Sequence, residues 1–583
     1  MRTISKHFFS SHDDTQLFYQ HWSALTPANL NKKAILLFHR GHEHSGRMAH
    51  LVNELDLPEY DFFAWDARGH GQSPGLRGDS PSFSCSVKDI QSFVSHIEKE
   101  YGIQPENIAI VAQSVGAVLA STWVHDYAPN IRALCLVSPA FKIKLYVPFA
   151  RTGLRVLKSV KGNFFINSYV KAGLLTHDID RAKSYEQDPS IAKAISVNML
   201  LGLHNTAKRI VKDAHAIHVP TQVLISGSDY VVHSKPQIEF FKNLTHPCKE
   251  LHVLEGFYHD TLGEKDRDIA VQKIRRFISQ CFASSLQLLN LRQAHQIGQS
   301  CAIAEQYNTP LPKKSLSHFY WSFTKYNLRL GSYLSQGLKL GQDTGFDSGS
   351  TLDYVYRNQA DSHHWLGRII DRQYLNAIGW KGIRVRKTHL EQLLQKAITQ
   401  LKQKNHQVNI VDIAAGHGRY VLEAIDELQY RPHHVLLRDY RQVNVEHGQK
   451  LIHDKQLEDI VEFQQGDAFS KESLAKIPQN TTIAIVSGLY ELFSDNTLIS
   501  TSLNGLSETI AQGGYLIYTG QIWHPQQEFI ARALTSHREG HAWVMRLRTQ
   551  AEMDQLVESA GFLKVDQLID EFGIFTVSLA VKK

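Results

Sequence analysis

The stretch Ile108–Ala120 places a strand, a tight turn and a helix in direct succession, and it most constrains how the first half of the chain folds. Its β-branched start is typical of a buried parallel strand. Small residues, Ala112 and Gly116, stand two positions before and two after Ser114. That spacing suits a sharp turn that exposes a serine hydroxyl at the end of a sheet, although the usual pattern has glycine where Ala112 stands. The dipole of the helix that follows favours a developing oxyanion beside the hydroxyl.

Apolar strands alternate with helical segments through the rest of the first half. A hairpin is expected within residues 1–30, and helices are expected at Val87–Glu100 and Val271–Phe282. Further strands are predicted at Ala34–Phe38, Phe62–Trp65, Leu134–Val137, Thr221–Ser226 and Leu251–Leu254. This alternation indicates a parallel sheet that is covered by helices on both faces.

Two polar residues downstream complete a candidate catalytic triad with Ser114. Asp229 follows one of the predicted strands and His259 follows the next. Polar residues at strand ends are where an open α/β sheet carries its site. A serine needs a histidine to take its proton, and the histidine needs an acid to hold its tautomer. Each residue alone would more readily be structural, but the three in this order predict a serine hydrolase.

Two further motifs connect this half of the chain to a known family. The loop His39–Arg47 is similar to the pattern H-G-x-G-E-H-S-G-R, with Arg40 and His42 at two of its glycines. Asp66–Ser73 matches the pattern D-x-R-G-H-G-x-S. With Ser114 and its partners, these motifs resemble the monoacylglycerol lipase-like branch of the α/β-hydrolases. The resemblance covers roughly residues 5–283.

The resemblance implies a role for individual residues. Ser114 would be the nucleophile, Asp229 the acid and His259 the base. The backbone N–H groups of Gly41 and Val115 would form the oxyanion hole. We therefore expect an α/β-hydrolase domain over residues 1–283 that cleaves carboxylic esters.

Residues 140–218 interrupt the strand pattern and are expected to form a helical cap on this domain. Within the cap, Phe141–Lys171 is basic and aromatic and contains no acidic residue. Arg151, Arg155 and Lys158 share one helical face. A basic amphipathic helix favours contact with an anionic lipid surface, and a cap helix with solvated cations is the equal alternative.

Residues 284–344 are expected to form a helical linker. Residues 284–312 suggest an amphipathic helix that leads into a polar loop. Ser315–Leu340 is rich in aromatic residues at helical spacing, as in a bracket between domains or in a second membrane-facing helix. A second domain is then expected over residues 345–583.

A buried strand, Val408–Ala415, opens the core of this second domain and runs into Gly416 and Gly418. A glycine turn between a strand and a helix lets a ligand lie against the backbone. A dinucleotide site would need a small residue where Val421 stands. Asp412 instead suits a cofactor with an amino-acid moiety, whose ammonium a carboxylate can help to hold.

The following strands carry further acidic residues at their ends. His434–Leu437 leads to Asp439, which could accept the hydroxyls of a ribose. Ile460–Gln464 leads to Asp467, which could bind an adenine amine beside Phe469. The remaining strands are predicted at Ile483–Ser487, Gly514–Tyr518, Gly561–Ile569 and Gly573–Val581, where the last two form a hairpin that adds an antiparallel strand to the sheet.

Together these features resemble the class I S-adenosylmethionine-dependent methyltransferases, which have a Rossmann-like fold. The segments Asp353–Asn358 and Gly379–Arg384 look like those of fused bacterial hydrolase–methyltransferase proteins. The resemblance implies S-adenosyl-L-methionine as the cofactor and no metal. It places Asp412, Gly416 and Gly418 near the methionine end of the cofactor, Asp439 on the ribose and Asp467 on the adenine. Acceptor-side candidates are Tyr490, His524 and Arg538, each at least as readily structural.

Composition narrows the setting in which such a protein works. A net charge of +6 permits contact with anionic surfaces without indicating nucleic-acid binding. Five cysteines without a CxxC pair indicate a reducing compartment. No apolar run reaches the ~18–20 residues of a membrane span, and the N-terminus has no secretory pattern. We therefore expect a cytoplasmic protein, with peripheral attachment to the inner membrane as an option.

The sequence thus predicts a bifunctional enzyme. The hydrolase would cleave a lipid ester of the monoacylglycerol or lysophospholipid type, and the second domain would transfer a methyl group to an acceptor that could be lipid-linked. Two alternatives stay open. The first is a hydrolase of small soluble esters or peptides, and the second is a catalytically silent lipid-binding scaffold.

Overall fold

The alternating strands and helices fold into two separate units, residues 1–289 and residues 290–583. The structure, a computed structural model, describes residues 2–26, 31–147, 149–168, 170–286, 288–426, 431–538 and 540–583. No helix in these ranges combines the length and the hydropathy needed to cross a bilayer.

In the described part of the first unit there are ten strands, of which eight form one sheet. The strands are β1 (Ile4–Ser10), β2 (Gln16–Trp22), β3 (Lys33–Phe38), β4 (Tyr60–Trp65), β5 (Ile108–Gln113), β6 (Ala133–Val137), β7 (Phe165–Asn167), β8 (Ala194–Ser196), β9 (Thr221–Ser226) and β10 (Lys249–Leu254). The sheet order is β1-β2-β4-β3-β5-β6-β9-β10. The N-terminal hairpin pairs antiparallel, as predicted, and the strands from β4 to β10 in the sheet run parallel.

Among the described residues, eight α-helices accompany these strands. They are α1 (Leu51–Glu54), α2 (Phe83–Tyr101), α3 (Val115–Tyr127), α4 (Ala150–Lys161), α5 (Ile179–Gln187), α6 (Val197–Lys212), α7 (Ser234–Asn243) and α8 (Asp268–Ala283). Between β6 and β9 the chain leaves the sheet and forms α4, α5 and α6. The short strands β7 and β8 pair with each other in this insertion, so the segment predicted to be a helical cap also contains a small antiparallel ribbon.

The second unit is built on a seven-stranded sheet. Its strands are β11 (Asn409–Asp412), β12 (His434–Asp439), β13 (Val461–Gln465), β14 (Thr481–Val486), β15 (Ile510–Gln521), β16 (Phe562–Ile569) and β17 (Phe575–Lys582). Their order is β13-β12-β11-β14-β15-β17-β16. The predicted C-terminal hairpin inserts β17 antiparallel beside β15. Ile410 and Val411 in β11 pack into apolar clusters on opposite faces, so helices cover the sheet on both sides.

The helices of this unit are α9 (Gln299–Asn308), α10 (Leu316–Ser332), α11 (Gln336–Thr344), α12 (Gly349–Arg357), α13 (Trp365–Leu375), α14 (Ile378–Gln403), α15 (Arg419–Asp426), α16 (Gln442–Asp454), α17 (Lys471–Leu474), α18 (Asn496–Thr509), α19 (Gln527–Ala533) and α20 (Gln550–Ser559). The α/β-hydrolase and Rossmann-like fold classes predicted from the sequence are both confirmed.

The segment predicted as a linker differs in detail from the expectation. Residues 290–344 belong to the second unit, and the predicted helix over residues 284–312 begins only at Gln299. Before it, the backbone is held by side chains of other helices. Leu291 N donates to Gln555 Oε1 at 2.9 Å, and Asn496 Nδ2 donates to Arg292 O at 3.0 Å. These bonds satisfy backbone groups without a helix.

Candidate active sites

The turn after β5 holds Ser114 in a strained conformation. Its φ of 55° and ψ of −112° lie outside the backbone conformations that residues other than glycine usually adopt. Gly116 makes the turn feasible, because a Cβ at that position would stand 2.4 Å from His39 O. The turn lies at the carboxyl end of a central strand, where the small residues of the motif leave room for the serine. This is the geometry that the sequence pattern predicts.

Two hydrogen bonds join the three predicted triad residues. Ser114 Oγ lies 2.8 Å from His259 Nε2, and His259 Nδ1 lies 2.7 Å from Asp229 Oδ2. All three residues are buried. The loops after β5, β9 and β10 therefore bring together the three side chains that the sequence singled out. The arrangement suits deprotonation of the hydroxyl by the imidazole.

Asp229 is fixed as an ionised acceptor. Its Oδ1 accepts from the backbone N–H groups of Val231 at 2.7 Å and Val232 at 2.9 Å. Burial favours the neutral acid, but the His259 ring and these two N–H groups more than offset it and lower the pKa of Asp229. An ionised carboxylate in this position holds the His259 tautomer with Nδ1–H toward Asp229 and Nε2 toward Ser114.

The predicted oxyanion residues lie beside each other. A Cβ on Gly41 would stand 3.1 Å from Val115 Cγ2, so the loop after β3 approaches the start of α3 closely. Within the described ranges, neither N–H donates to another protein group. Both N–H groups are therefore free to donate to an oxyanion.

Arg40 and His42, which replace two glycines of the motif, are both accommodated by the fold. Arg40 is 3% exposed and lies over the Tyr185 ring in α5, 4.9 Å from its centroid. Its Nη2 donates to Glu43 Oε1 at 3.0 Å. His42 adopts the left-handed backbone conformation that glycine would favour, with φ of 67°. Burial lowers the pKa of His42 to about 4, so it is neutral at pH 7.

A buried ionic network connects the cap to this loop, and sequence reasoning missed it. Arg181 in α5 donates from Nε to Asp260 Oδ2 at 3.0 Å, and its Nη2 lies 3.7 Å from Glu43 Oε1. Arg47 Nε also donates to Glu43 Oε1, at 2.7 Å. The similarity of the loop His39–Arg47 to the family motif indicated that its residues are important. It gave no indication of their ion-pair partners in the cap.

The cap helix α4 presents both apolar side chains and cations to solvent. Val156 is 60% exposed and Val160 is 78% exposed, and Arg155 is exposed as well. Two other cations of the helix contact polar side chains of α6. Arg151 Nη1 lies 3.1 Å from His204 Nε2, and Lys158 Nζ donates to Asn198 Oδ1 at 2.5 Å. Residues of α6 therefore hold two cations of the face predicted from helical spacing.

In the second unit, a cavity of about 670 Å³ opens at the carboxyl ends of β11 to β14. Strand order reverses between β11 and β14, and ligands of open α/β sheets bind at such a point. The cavity lining includes three of the predicted cofactor residues, Gly416, Asp439 and Asp467. Gly416 has a φ of 59°, and a Cβ on it would meet only Gly349 Cα at 3.6 Å, so the turn leaves space for a ligand.

Asp439 retains acceptor capacity toward this cavity. Its Oδ1 accepts from Arg441 N and Asn444 Nδ2, both at 2.9 Å, and its Oδ2 accepts from Gly416 N at 3.0 Å. A carboxylate offers about four acceptor sites, so a further hydroxyl can still bind. Burial raises the pKa of Asp439 despite these three donors.

Asp467 and Phe469 lie at the opposite wall of the same cavity, after β13. Phe469 N donates to Asp467 Oδ1 at 2.8 Å, which anchors the acid to its own loop. The Phe469 ring packs edge-on against Phe493, with centroids 4.6 Å apart. An acid beside two aromatic rings suits a flat heterocycle with an amine. The chemistry of the cavity thus fits the ribose and adenine of S-adenosylmethionine.

Asp412 and Gly418 occupy different places from those predicted. Asp412 is fully buried, accepts from Tyr420 Oη and from Ala414 N at 3.0 Å, and does not line the cavity. Burial raises the pKa of Asp412 to about 7. A Cβ on Gly418 would stand 2.6 Å from Leu437 Cδ1, so this glycine allows α15 to pack on the sheet. Both residues support the turn through these contacts, and neither lines the cavity.

Several cavity residues were not anticipated. Asp347 accepts from Ser536 Oγ and from His537 N, each at 2.6 Å, and so joins two distant loops at the cavity wall. Of the acceptor-side candidates, Arg538 lines the cavity, whereas Tyr490 is buried and donates to Ser502 Oγ at 3.0 Å. The sequence Asp347-Ser348-Gly349 at the start of α12 is typical of a helix N-terminus. It gave no indication that Asp347 lines a cavity.

The two folds and their sites define an α/β-hydrolase fused to a class I methyltransferase fold. The family described as "Putative methyltransferase" matches residues 274–582, more than half of the chain, and the chain belongs to this family. The family described as "Serine aminopeptidase, S33" matches residues 30–266.

Individual relatives cover either the whole chain or its first half. "Uncharacterized protein YnbC" of Escherichia coli K12 is 52% identical over 100% of this chain and 99% of its own length. The mouse monoglyceride lipase is 27% identical over 42% of this chain and 80% of its own length. A crystal structure of Paleococcus ferrophilus monoacylglycerol lipase is 21% identical, covers 48% of this chain and 99% of its own, and has a TM-score of 0.40.

Proposed function

We propose that the first unit cleaves the carboxylic ester of a lipid of the monoacylglycerol or lysophospholipid type through an acyl-Ser114 intermediate. The hydrogen-bonded series Ser114–His259–Asp229 carries this proposal. Similarity to monoglyceride lipases and to a probable lysophospholipase L2 of Haemophilus influenzae supports the substrate class.

The site geometry suggests how the reaction proceeds. Ser114 Oγ attacks the ester carbonyl while His259 Nε2 takes its proton, and the Gly41 and Val115 N–H groups bind the oxyanion. The imidazolium then protonates the leaving alcohol. A water molecule attacks the acyl-enzyme in the same way and releases the fatty acid. Asp229 keeps the imidazole in the required tautomer throughout.

Labelling with a fluorophosphonate probe tests the hydrolase. The intact protein should be labelled at Ser114, and Ser114→Ala should lose both the label and the esterase activity. Ser95→Ala, at an exposed serine of the same unit, is the matched control and should retain both. Unlabelled wild-type protein would favour the silent scaffold. Equal turnover of soluble and micellar esters would favour the soluble-ester alternative.

We propose that the cap contacts an anionic membrane surface from the cytoplasm, with the protein otherwise dissolved there. The exposed apolar side chains of α4 and of the turn before it support contact with lipid, among them Phe149 at 88% exposure. Cations on the neighbouring face add attraction to anionic headgroups.

We propose that the second unit transfers a methyl group from S-adenosyl-L-methionine to an oxygen or nitrogen nucleophile. The cofactor supplies an electrophilic methyl group when it is bound. Asp439 would accept from its ribose, Asp467 and Phe469 would hold its adenine, and Gly416 would leave space for the remainder. The cavity at the sheet's reversal point carries this proposal.

Calorimetry with S-adenosylhomocysteine tests the cofactor site. Wild-type protein should bind it, and Asp439→Ala should weaken binding at least 30-fold, because two hydroxyl hydrogen bonds to a carboxylate are lost. Asp459→Ala, at an exposed aspartate of the same unit, should bind as wild type does. Unchanged binding to Asp439→Ala would remove the assigned role.

A further inference from the structure

A second cavity of about 640 Å³ lies in the same unit and has a predominantly apolar wall. Helices α11, α13, α14 and α19 contribute to its lining, together with Phe575, the first residue of β17. Six aromatic side chains line it: Phe346, Tyr374, Trp380, Phe529, Trp543 and Phe575. Its volume is within the range of ~300–1,000 Å³ typical of small-molecule sites.

The two cavities adjoin each other. Asp347, Leu352, Gly488 and Leu492 line both of them. Gly488 comes two residues after β14 ends, at the centre of the carboxyl edge of the sheet. A molecule in the apolar cavity therefore reaches the cofactor cavity along this shared wall.

A pair of buried charged groups lies beside Gly488 and lacks part of its hydrogen bonding. A Cβ on Gly488 would stand 3.1 Å from Arg386 Nη2, and Arg386 Nη1 lies 3.8 Å from Glu491 Oε1. Arg386 is 4% exposed and Glu491 is 8% exposed. Among the described residues, Arg386 Nε and Glu491 Oε2 have no hydrogen-bond partner. Buried polar atoms without a partner are costly, which indicates that a ligand supplies one.

The two unpartnered atoms indicate which functional group the ligand carries. One is a donor and the other is an acceptor, so a hydroxyl group satisfies both, because its oxygen accepts and its hydrogen donates. A carboxylate would satisfy Arg386 but would meet the Glu491 carboxylate with like charge. The aromatic wall favours a ring next to the hydroxyl, since aromatic groups pack well against each other.

We propose that the apolar cavity binds the methyl acceptor and that this acceptor is a hydrophobic phenol. The inference rests on the proposed methyltransferase function. The ring and its apolar substituent occupy the aromatic cavity, and the hydroxyl lies between Arg386 and Glu491 at Gly488. A phenol, with a pKa near 10, loses its proton to a carboxylate far more readily than an aliphatic alcohol does.

The transfer balances without a further reactant. The phenol oxygen forms a bond to the methyl carbon as the methyl–sulfur bond breaks, and the electron pair of that bond stays on sulfur. The phenol proton passes to Glu491 Oε2. Arg386, which lines the cavity and whose Nε–H has no partner among the described residues, stabilises the phenolate as it forms. His524, which also lines the cavity, accepts from Gln526 N at Nδ1 and is therefore a donor at Nε2 instead of a base.

Binding is tested with the full-length protein saturated with S-adenosylhomocysteine. 4-Nonylphenol should change the tryptophan fluorescence saturably, because Trp380 and Trp543 line the cavity. 1-Nonanol and hexadecanoate should bind at least 10-fold more weakly. Ile370→Phe places a ring in the cavity and should weaken 4-nonylphenol binding at least 10-fold. Val443→Phe, at an exposed position of α16, should not weaken it.

Transfer is tested with radiolabelled S-adenosylmethionine and the same phenol. Glu491→Gln should bind the phenol within about 3-fold of wild type and transfer methyl at least 100-fold more slowly. Glu508→Gln, at an exposed glutamate of the same unit, should match wild type. Each variant should bind S-adenosylhomocysteine within 3-fold of wild type, which shows that its fold is retained.

The outcomes separate this inference from the proposed function. If wild-type protein does not bind S-adenosylhomocysteine, the methyltransferase proposal itself fails. If the cofactor product binds but 4-nonylphenol does not, or if it binds Ile370→Phe equally well, the acceptor assignment is overturned. Preferential methylation of hexadecanoate or 1-nonanol would also overturn it. Full transfer by Glu491→Gln would remove the proton-accepting role.

Discussion

Arg181 Nε lies 3.0 Å from Asp260 Oδ2, and this contact joins the cap to the loop that carries His259. Asp260 is 1% exposed and directly follows His259 in the chain. The Arg181 and Arg40 guanidinium groups hold the pKa of Asp260 well below its usual range, although burial alone would raise it. The cap and the candidate base are therefore held by one buried ionic network.

Replacing Arg181 should weaken both the fold and the hydrolase. Asp260 keeps Arg40 as a partner in Arg181→Met, so we expect a loss of about 1–3 kcal/mol in the free energy of unfolding. The loop of His259 should lose part of its support and kcat/KM for 4-nitrophenyl butyrate should fall about 10-fold. Urea unfolding and ester kinetics measure these effects. Lys183→Met, at an exposed lysine of α5, should match wild type, and an equal loss there would contradict the role of the network.

Asp229→Asn should retain the fold and lose most of the turnover. An amide supplies no negative charge and lets the imidazole adopt the wrong tautomer, so we expect kcat to fall by about 10³–10⁴-fold. Ester kinetics and the rate of fluorophosphonate labelling measure this. Asp268→Asn, at an exposed aspartate in α8, is the control. A loss below 10-fold would mean that the Asp229–His259 contact does not support the reaction.

The buried acid Asp412 should make stability depend on pH. Its pKa is raised from an ordinary value of 3.8 to about 7. The folded protein therefore holds a proton that the unfolded chain has lost between about pH 4 and 7, and stability falls as the pH rises through that window. Asp412→Asn removes this dependence. The Tm of the variant minus the Tm of wild type should therefore be several degrees larger at pH 8 than at pH 4.

Calorimetric scans at the two pH values check the prediction for Asp412. Asp426→Asn, at an exposed aspartate that ends α15, is the control for a general effect of charge removal. A constant difference in Tm between Asp412→Asn and wild type across the pH range would contradict it.

Charged substitutions on α4 should weaken membrane binding without altering catalysis. Val156→Glu combined with Val160→Glu places two carboxylates on the exposed apolar face and should reduce binding to phosphatidylglycerol vesicles about 10-fold. Sedimentation with vesicles measures the bound fraction. Val253→Glu, at a half-exposed valine of the edge strand β10, should bind as wild type does. If the double variant binds vesicles as strongly as wild type does, α4 is not the contact. The turnover of soluble esters should be unchanged in the double variant and in the control.

The positions of the strands and the residues at their ends were predictable because the signals are local. The apolar run before Ser114 and the polar residues after it lie within a dozen positions, and the same holds for Asp229 and His259. Helix and strand periodicities therefore placed three reactive side chains at one edge of a sheet before any contact was known. The candidate cofactor residues at and after the ends of β11, β12 and β13 followed from the same rule.

The cofactor aspartates show where that rule stops. Asp412 and Asp439 both end parallel strands, yet only Asp439 faces the cavity. Tyr420, the second residue of α15, donates to the Asp412 carboxyl, and no periodicity in the sequence predicts such a contact. Similarly, the Arg151 and Lys158 face of α4 was recognisable from helical spacing, but its neighbour in the folded cap was not.

The amino-acid sequence by itself determined the two fold classes, the serine–histidine–aspartate constellation and the glycine turn of the second unit, because each site residue is marked by a local pattern, an apolar strand followed directly by a polar or glycine turn. Only the tertiary structure decided that Arg386 and Glu491 meet beside Gly488, that α6 contacts Arg151 and Lys158 of α4, and that Arg181 reaches Asp260. These contacts join residues far apart in sequence, and their partners are selected by how helices pack on the sheets.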